Sequence, residues 1–155
     1  MEETIEMEII NYTREMIPDV MDFERRLREE EPFYNWDIDE AYRKRVEASF
    51  DDPRFSNAVS LLARENGRVI GRIDSSILAS RFDGSVNGYL DWICVVKSSR
   101  HAGTAQALLA ELRRRMKQAG ASQLIALMAA NDEAQRFYRA VENASIHDEG
   151  IWINL

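Results

Sequence analysis

Residues Asp91–Ala105 read DWICVVKSSRHAGTA, an apolar run that passes into a short polar loop and then into a helical segment. This order predicts a buried strand, a turn and the start of a helix. A turn that leads into a helix leaves backbone N–H groups without partners, and these groups, with the positive end of the helix dipole, favour an anion. Gly103 lets the chain approach that anion without a Cβ, and Arg100 adds a positive charge. The stretch therefore predicts a loop that binds a phosphate-bearing ligand.

The pattern Arg100-x-x-Gly103-x-Ala105 is short, and such spacings also arise by chance. Its place after an apolar strand and before an amphipathic helix makes it more specific. It resembles the acetyl-CoA pyrophosphate loop of the GNAT superfamily of N-acetyltransferases, and Asn131–Tyr138 resembles the Asn-x-x-Ala-x-x-Phe-Tyr segment of the same enzymes. The resemblance is specific from about residue 88 to 143 and only architectural before that. It implies an α+β fold: a mixed, mostly antiparallel sheet of six to seven strands with helices on both faces.

The length and composition set the class of protein. The chain has 155 residues, which suits one domain over residues 1–155. Its net charge of −7 argues against a nucleic-acid duplex or an anionic membrane as partner. The single cysteine, Cys94, excludes an internal disulfide, and no signal peptide or run of about 18 apolar residues is present. We expect a soluble, cytoplasmic protein.

Periodicity predicts the remaining elements. Before the loop we expect a strand at Thr4–Tyr12, helices at Met16–Glu30 and Ile38–Phe50, the second capped by Asp37, a hairpin of Asn57–Glu65 and Arg68–Ser80 around Asn66-Gly67, and a strand at Tyr89–Val96. After the loop we expect a helix ending at Gly120, a strand at Ser122–Met128 buried on both faces, a helix at Asp132–Val141 and a strand at Gly150–Asn154. Because the family commonly has two strands at this end, the sheet is either abbreviated or completed by another subunit, and the second alternative would make the protein a homodimer.

The resemblance implies a cofactor site for acetyl-CoA. Backbone N–H groups would bind the pyrophosphate; they belong to Arg100, His101, Ala102, Gly103, Thr104 and Ala105, and Arg100 would add a charge-assisted bond. Backbone groups of Ile93, Cys94 and Val95 would pair with the pantetheine arm, and one N–H would polarise the acetyl carbonyl. Asn131 either contacts the cofactor arm or only caps a helix. No metal is expected, because no His, Cys or carboxylate pair has ligand spacing.

Two residues are candidates for catalysis. Tyr138 matches the family tyrosine whose phenol protonates the CoA sulfur. The alternative is that Tyr138 and its neighbour Phe137 are a pair of aromatics in the core. Asp91 is the candidate general base, since strict alternation puts it on the same strand face as Ile93 and Val95; the alternative is a carboxylate that accepts a turn hydrogen bond. Cys94 then points the opposite way, as a small buried residue.

The acceptor site is expected in the loop after the first helix. Its acids and aromatics, represented by Glu30, Tyr34 and Trp36, would hold a cationic amine; the alternative is a solvated helix end with aromatics in the core. The predicted function is an N-acetyltransferase that moves an acetyl group from acetyl-CoA to a small cationic primary amine. The alternatives are a protein lysine or N-terminal acetyltransferase, a CoA-binding sensor without catalysis, and an unrelated α/β protein that binds another phosphate.

Overall fold

The computed structural model describes residues 6–32, 36–100 and 102–155. Its regular elements, in chain order, are β1 Met7–Asn11, α1 Ile17–Glu30, α2 Glu40–Ser49, β2 Val59–Glu65, β3 Arg68–Ala79, β4 Val86–Val95, α3 Thr104–Gln118, β5 Leu124–Ala126 and α4 Asp132–Arg139. Among these residues no helix is both long and apolar enough to cross a bilayer.

The strands form one sheet in the order β1-β2-β3-β4-β5. The first three pairings are antiparallel, and Asn66 and Gly67 make the tight turn between β2 and β3 with φ of 50° and 75°. The chain entering β5 runs in the same direction as β4, since Ser122 N–H donates to Val86 and Gly88 N–H donates to Gln123. The sheet is therefore mixed, as predicted, but it has five strands in the described residues and not six to seven.

The two faces of the sheet are covered by different helices. Arg72 of β3 forms an ion pair with Glu24 of α1, whereas a Cβ at the adjacent Gly71 would contact Leu108 of α3 at 3.2 Å. Because neighbouring strand residues point to opposite faces, α1 and α3 lie on opposite sides. The consecutive residues Leu61, Leu62 and Ala63 are accordingly all buried. Strand β2 therefore contributes side chains to the core on both faces of the sheet.

A β-bulge interrupts β4 at one of the predicted site residues. Asp74 is opposite Trp92, and the next residue, Ser75, is opposite Leu90, which leaves Asp91 as the extra residue. Strict alternation of side chains fails at such a point. The expectation that Asp91 shares a face with Ile93 and Val95 is therefore wrong, because it assumed that the side chains alternate regularly, and the bulge interrupts that alternation.

Three predicted elements differ from the structure. The cap of α2 is Asp39 and not Asp37, because the Asp39 carboxylate accepts a hydrogen bond from Tyr42 N–H at 2.9 Å. The strand predicted over Ser122–Met128 is only three residues long and is not buried on both faces, since Ile125 is 44% exposed. No strand forms at Gly150–Asn154, where the side chains are exposed.

The chain divides into two compact units, Met1–Ile125 and Ala126–Leu155. The first contains β1–β4 and α1–α3 with the core described above. The second contains α4, whose Phe137 and Tyr138 rings meet edge to face with centroids 5.2 Å apart. A single domain over residues 1–155 stays a prediction.

Candidate active site

The start of α3 presents open backbone amides. Gly103 precedes the helix with φ of 86°, a left-handed conformation that favours glycine, and no atom lies within 4 Å of where its Cβ would be. Within the described residues, no hydrogen bond uses the N–H groups of Gly103, Thr104 or Ala105. Gly103 is exposed and Ala105 partly exposed, whereas the whole of Thr104 is only 3% exposed. This helix end can bind an anion through amides and the helix dipole.

The side chain of Arg100 is directed into the protein. Its guanidinium forms a two-pronged ion pair with Glu31, with Nη2 2.7 Å from Oε2, and its Nε donates to the Val95 carbonyl at 3.0 Å. Glu30 also contacts this loop: it accepts hydrogen bonds from the Ser98 hydroxyl at 3.0 Å and from Ser98 N–H at 3.3 Å. The Arg100 side chain therefore fixes the loop to the end of α1, and the Glu30 carboxylate is bonded to the same loop.

The end of β4 presents the strand backbone predicted to pair with a pantetheine arm. Ile93, Cys94 and Val95 are paired with β3 on one side. On the other side, the chain entering β5 is bonded to β4 at Val86 and Gly88, and β5 itself is the neighbour of β4 in the sheet. Cys94 is buried, as predicted.

An open cleft of about 1140 Å³ lies beside β3 and β4 on the α1 and α2 side of the sheet. Aromatic rings form much of its wall; they include Trp36, Tyr42, Phe55, Tyr89 and Trp92. Five carboxylates also line it, those of Glu24, Asp51, Asp52, Asp74 and Asp91. Aromatic rings and carboxylates together form a favourable environment for an organic cation.

Most charges in the cleft are already paired. Asp51 contacts Arg14 at 2.6 Å, Asp52 contacts Arg54, and Asp74 contacts Arg72 at 2.7 Å. The Asp91 carboxylate, by contrast, makes no hydrogen bond or ion pair with any residue that the structure describes. Among the acids of the cleft, Asp91 is thus the one whose charge is left for a ligand.

The surroundings of Asp91 suit a proton acceptor. Although the side chain reaches solvent, the cleft walls remove part of its hydration, and this burial raises the pKa of Asp91. The negative charge of Asp74 raises this pKa further, while Arg72 opposes the change. Asp91 therefore binds a proton more readily than an ordinary aspartate does.

The floor of the cleft is an ion network. Glu24, 3% exposed, accepts hydrogen bonds from Arg28 at 2.7 Å and from Arg72 at 2.8 Å. Burial alone would lower the pKa of Arg72, but Asp74 and Glu24 reverse this effect and the pKa is raised. The network is neutral, because its two guanidiniums match its two carboxylates.

The second unit carries the other predicted site residues. The Asn131 side chain caps α4 by accepting a hydrogen bond from Ala134 N–H at 2.8 Å. Tyr138 is half-buried on α4 beside Phe137. The capping role of Asn131 was one of its two predicted roles, and its amide nitrogen is not used by that bond.

The structure thus groups some of the predicted residues and not others. Asp91 and Trp36 share the cleft, whereas Glu30 lies at the loop before α3. Tyr34 and His101 lie outside the described residues. Sequence reasoning assigned no role to Trp92, which also lines the cleft. No group of three metal-binding side chains occurs within the described ranges.

Comparisons with known proteins agree on one family. The sequence model described as "Acetyltransferase (GNAT) family" matches residues 20–141. The structure is similar to that of an aminoglycoside acetyltransferase, meta-AAC0020, from an uncultured soil metagenomic sample, at 14% identity over 96% of both chains with a TM-score of 0.79.

Two further solved structures resemble the chain. The aminoglycoside N-acetyltransferase AAC(6')-Iy in complex with CoA is 18% identical, with 99% of this chain and 98% of that chain covered and a TM-score of 0.79. A ribosomal-protein-alanine N-acetyltransferase from Brucella melitensis biovar Abortus 2308 is also 18% identical, with 97% and 99% covered and a TM-score of 0.72. No curated protein matches the chain by sequence. At these identities the solved structures show the fold alone.

Proposed function

The chain belongs to the acetyltransferase (GNAT) family, and from this premise we propose that it transfers the acetyl group of acetyl-CoA to a primary amine on a small cationic molecule. The observation that carries the proposal is the cleft beside β4, where aromatic rings surround an unpaired carboxylate, Asp91. The open amides at the start of α3 support the binding of acetyl-CoA.

In the proposed reaction, the amides of Gly103, Thr104 and Ala105 bind the diphosphate of the cosubstrate. The backbone of Ile93, Cys94 and Val95 orients its pantetheine arm, and an N–H there stabilises negative charge on the acetyl oxygen. Arg100 contributes by fixing the loop, not by contacting a phosphate. Asn131 is proposed to contact the cofactor arm through its amide nitrogen.

The acceptor enters as an ammonium ion, whose pKa is near 10, so it must lose a proton before it can attack. Asp91 accepts that proton, directly or through a water molecule. The neutral amine nitrogen then bonds to the thioester carbon and gives its second proton to solvent as the C–S bond breaks. Tyr138 gives its proton to the departing thiolate and recovers one from solvent, and Asp91 releases the first proton, so that the products are an amide, CoA and one proton.

The acceptor is a cation because of the surfaces that surround Asp91. Trp36 and Trp92 place aromatic surface in the cleft wall, and among the described carboxylates that line the cleft Asp91 is the one left to balance a positive ligand. The aminoglycoside acetyltransferases among the similar structures support a small-molecule amine as acceptor.

A transfer assay tests this proposal. The enzyme is incubated with isotope-labelled acetyl-CoA and three groups of acceptors: aminoglycosides with polyamines, lysine peptides, and peptides with N-terminal alanine. Label in the first group supports the proposal, whereas label only in peptides makes the protein a peptide acetyltransferase. The Tyr138→Phe variant is the control: an enzyme loses turnover with little change in CoA affinity, whereas a sensor has no turnover to lose.

We also propose that two copies associate through the C-terminal segment. Ile151, Trp152 and Ile153 are 83%, 77% and 74% exposed, which is costly for apolar side chains in water. Light scattering during gel filtration tests this association. A dimer that Trp152→Ser converts to a monomer supports it, and a wild-type monomer at all concentrations contradicts it.

A further inference from the structure

The end of α1 is joined to the loop before α3 by two adjacent acids, Glu30 in the last turn and Glu31 at the C-cap. Glu31 forms the two-pronged ion pair with Arg100, and Glu30 accepts both hydrogen bonds from Ser98. We call these four residues the clasp. They connect positions that are 68 and 69 residues apart in the chain.

The ion pair in the clasp is well shielded from water. The side chains of Arg100 and Glu31 are 14% and 11% exposed, and the Val95 carbonyl accepts a third hydrogen bond from the guanidinium. Such a pair is charge-neutral and has fixed geometry, because the planar guanidinium binds the carboxylate through two parallel bonds. It therefore gives the loop a shape but little net charge with which to attract a phosphate.

From this arrangement we propose that Glu31 is a positioning residue for cofactor binding: it holds Arg100, and thereby sets the direction of the open amides from Gly103 to Ala105. The inference rests on the proposed function, since it concerns the same loop, but it assigns a role to a residue outside the loop. Glu31 acts indirectly in this proposal, because neither its carboxylate nor the Arg100 guanidinium contacts the diphosphate.

The same helix also holds one wall of the acceptor cleft. Arg28 of α1 donates through Nε to the Trp36 carbonyl at 2.9 Å, and its guanidinium carbon lies 4.3 Å from the centre of the Trp36 ring. The end of α1 thus contacts both the cofactor loop and the acceptor wall. Loosening the clasp is expected to weaken cofactor binding first and acceptor binding to a smaller extent.

The test measures CoA affinity by calorimetry, which requires no turnover. Glu31→Gln removes the carboxylate charge and loosens the pair with Arg100; we expect CoA binding to weaken by about tenfold, because the loop is then no longer held in its binding conformation before the ligand arrives. Arg100→Gln is expected to have the same effect, and the double variant no greater effect than either single one, because the two residues act as one unit. Steady-state kinetics should show the change in KM for acetyl-CoA with kcat changed much less.

Arg100→Lys separates positioning from direct phosphate binding. The lysine keeps the positive charge but lacks the planar fork, so a positioning role predicts a loss close to that of Arg100→Gln. Retention of full affinity in Arg100→Lys would mean that the charge itself contacts the phosphate, and tighter binding by Glu31→Gln would mean that Glu31 competes with the ligand. Either result overturns the inference.

Glu29→Gln is the matched control, since Glu29 is exposed on the same turn of α1 and forms no ion pair with the described residues. It should bind CoA as the wild type does. Melting temperatures of all variants show whether a loss of affinity comes from a loss of fold; a Glu31→Gln protein that melts like Glu29→Gln but binds CoA weakly supports the inference. If the wild type itself fails to bind CoA, the proposed function fails; if only the Glu31→Gln effect is absent, the positioning role alone fails.

Discussion

The indole of Trp36 meets that of Trp92 edge to face, with ring centroids 5.7 Å apart. Trp36 belongs to the segment between α1 and α2, and Trp92 lies in β4 directly after Asp91. The contact brings the loop that borders the cleft against the strand that carries the candidate base. An acceptor bound at Asp91 is therefore expected to contact aromatic surface on both sides.

Replacing Trp36 tests this acceptor wall. Trp36→Leu removes the ring edge and the stacking partner of Arg28. We expect the KM for the acceptor amine to rise by about tenfold, as for loss of one aromatic contact with a cation, while CoA affinity changes little. Phe82→Leu is the control, because Phe82 is 96% exposed and does not line the cleft. Equal effects of the two substitutions would contradict the role of Trp36.

Removing the carboxylate of Asp91 should separate activity from stability. We expect Asp91→Asn to lower kcat by about 10²-fold or more, as for loss of a general base. Activity of the wild type should fall as pH decreases through the raised pKa of Asp91, because the base becomes protonated, and the variant should lack this step. A pH–rate profile of both proteins is the measurement.

Although Asp91→Asn should lose activity, it should not lose stability at neutral pH. A carboxyl group whose pKa is raised in the folded state binds protons more tightly there than in the unfolded chain, so folding loses stability as pH rises from the ordinary aspartate pKa through the raised one. Above that window the variant should be at least as stable as the wild type. A variant that is less stable and fully active would show that Asp91 has only a structural role.

Gly103→Ala tests the amides at the start of α3. The added Cβ meets no atom, but the left-handed φ of 86° makes alanine less favourable by about 1 kcal/mol. We expect this loss of stability together with a clear loss of CoA affinity. Gly67→Ala is the matched control, since Gly67 has φ of 75° with open space around it but lies in the β2–β3 turn. It should lose similar stability and keep CoA affinity; urea unfolding and calorimetry measure both quantities.

The ion network under the cleft predicts a large loss of stability for Glu24→Gln. Glu24 is buried and balances two guanidiniums, so its removal leaves positive charge without compensation, at a cost of about 3 kcal/mol. Asp22→Asn, which breaks a more exposed pair with Arg26 on the same helix, should cost no more than about 1 kcal/mol. Similar unfolding free energies for the two variants would contradict the role assigned to the network.

Local chemistry explains which parts of the fold could be predicted from the sequence. The Asn66-Gly67 turn, the helices α1 and α3 and the glycine ends at Gly103 and Gly120 depend on residues that are close in the chain, and the structure has them where they were expected. The prediction of the family also rested on two short motifs, and the family model confirms it.

Features that depend on distant contacts were missed. The bulge at Asp91 arises from the register between β3 and β4, which alternation in one strand does not contain. The partner of Arg100 is an acid 69 residues away, so the loop sequence alone suggested a phosphate as its partner. The C-terminal strand was expected from its apolar residues, but a strand also needs a neighbour, and those residues are exposed.

The central claim is that the amides before α3 bind the diphosphate of acetyl-CoA, and a calorimetric comparison of CoA with pantetheine tests it most directly. Pantetheine has the same thiol-bearing arm but no diphosphate. We predict that the wild type binds CoA at least about tenfold more tightly than pantetheine, and that Gly103→Ala narrows this difference. Equal affinity of the wild type for both compounds, or an unchanged difference in Gly103→Ala, would contradict the claim.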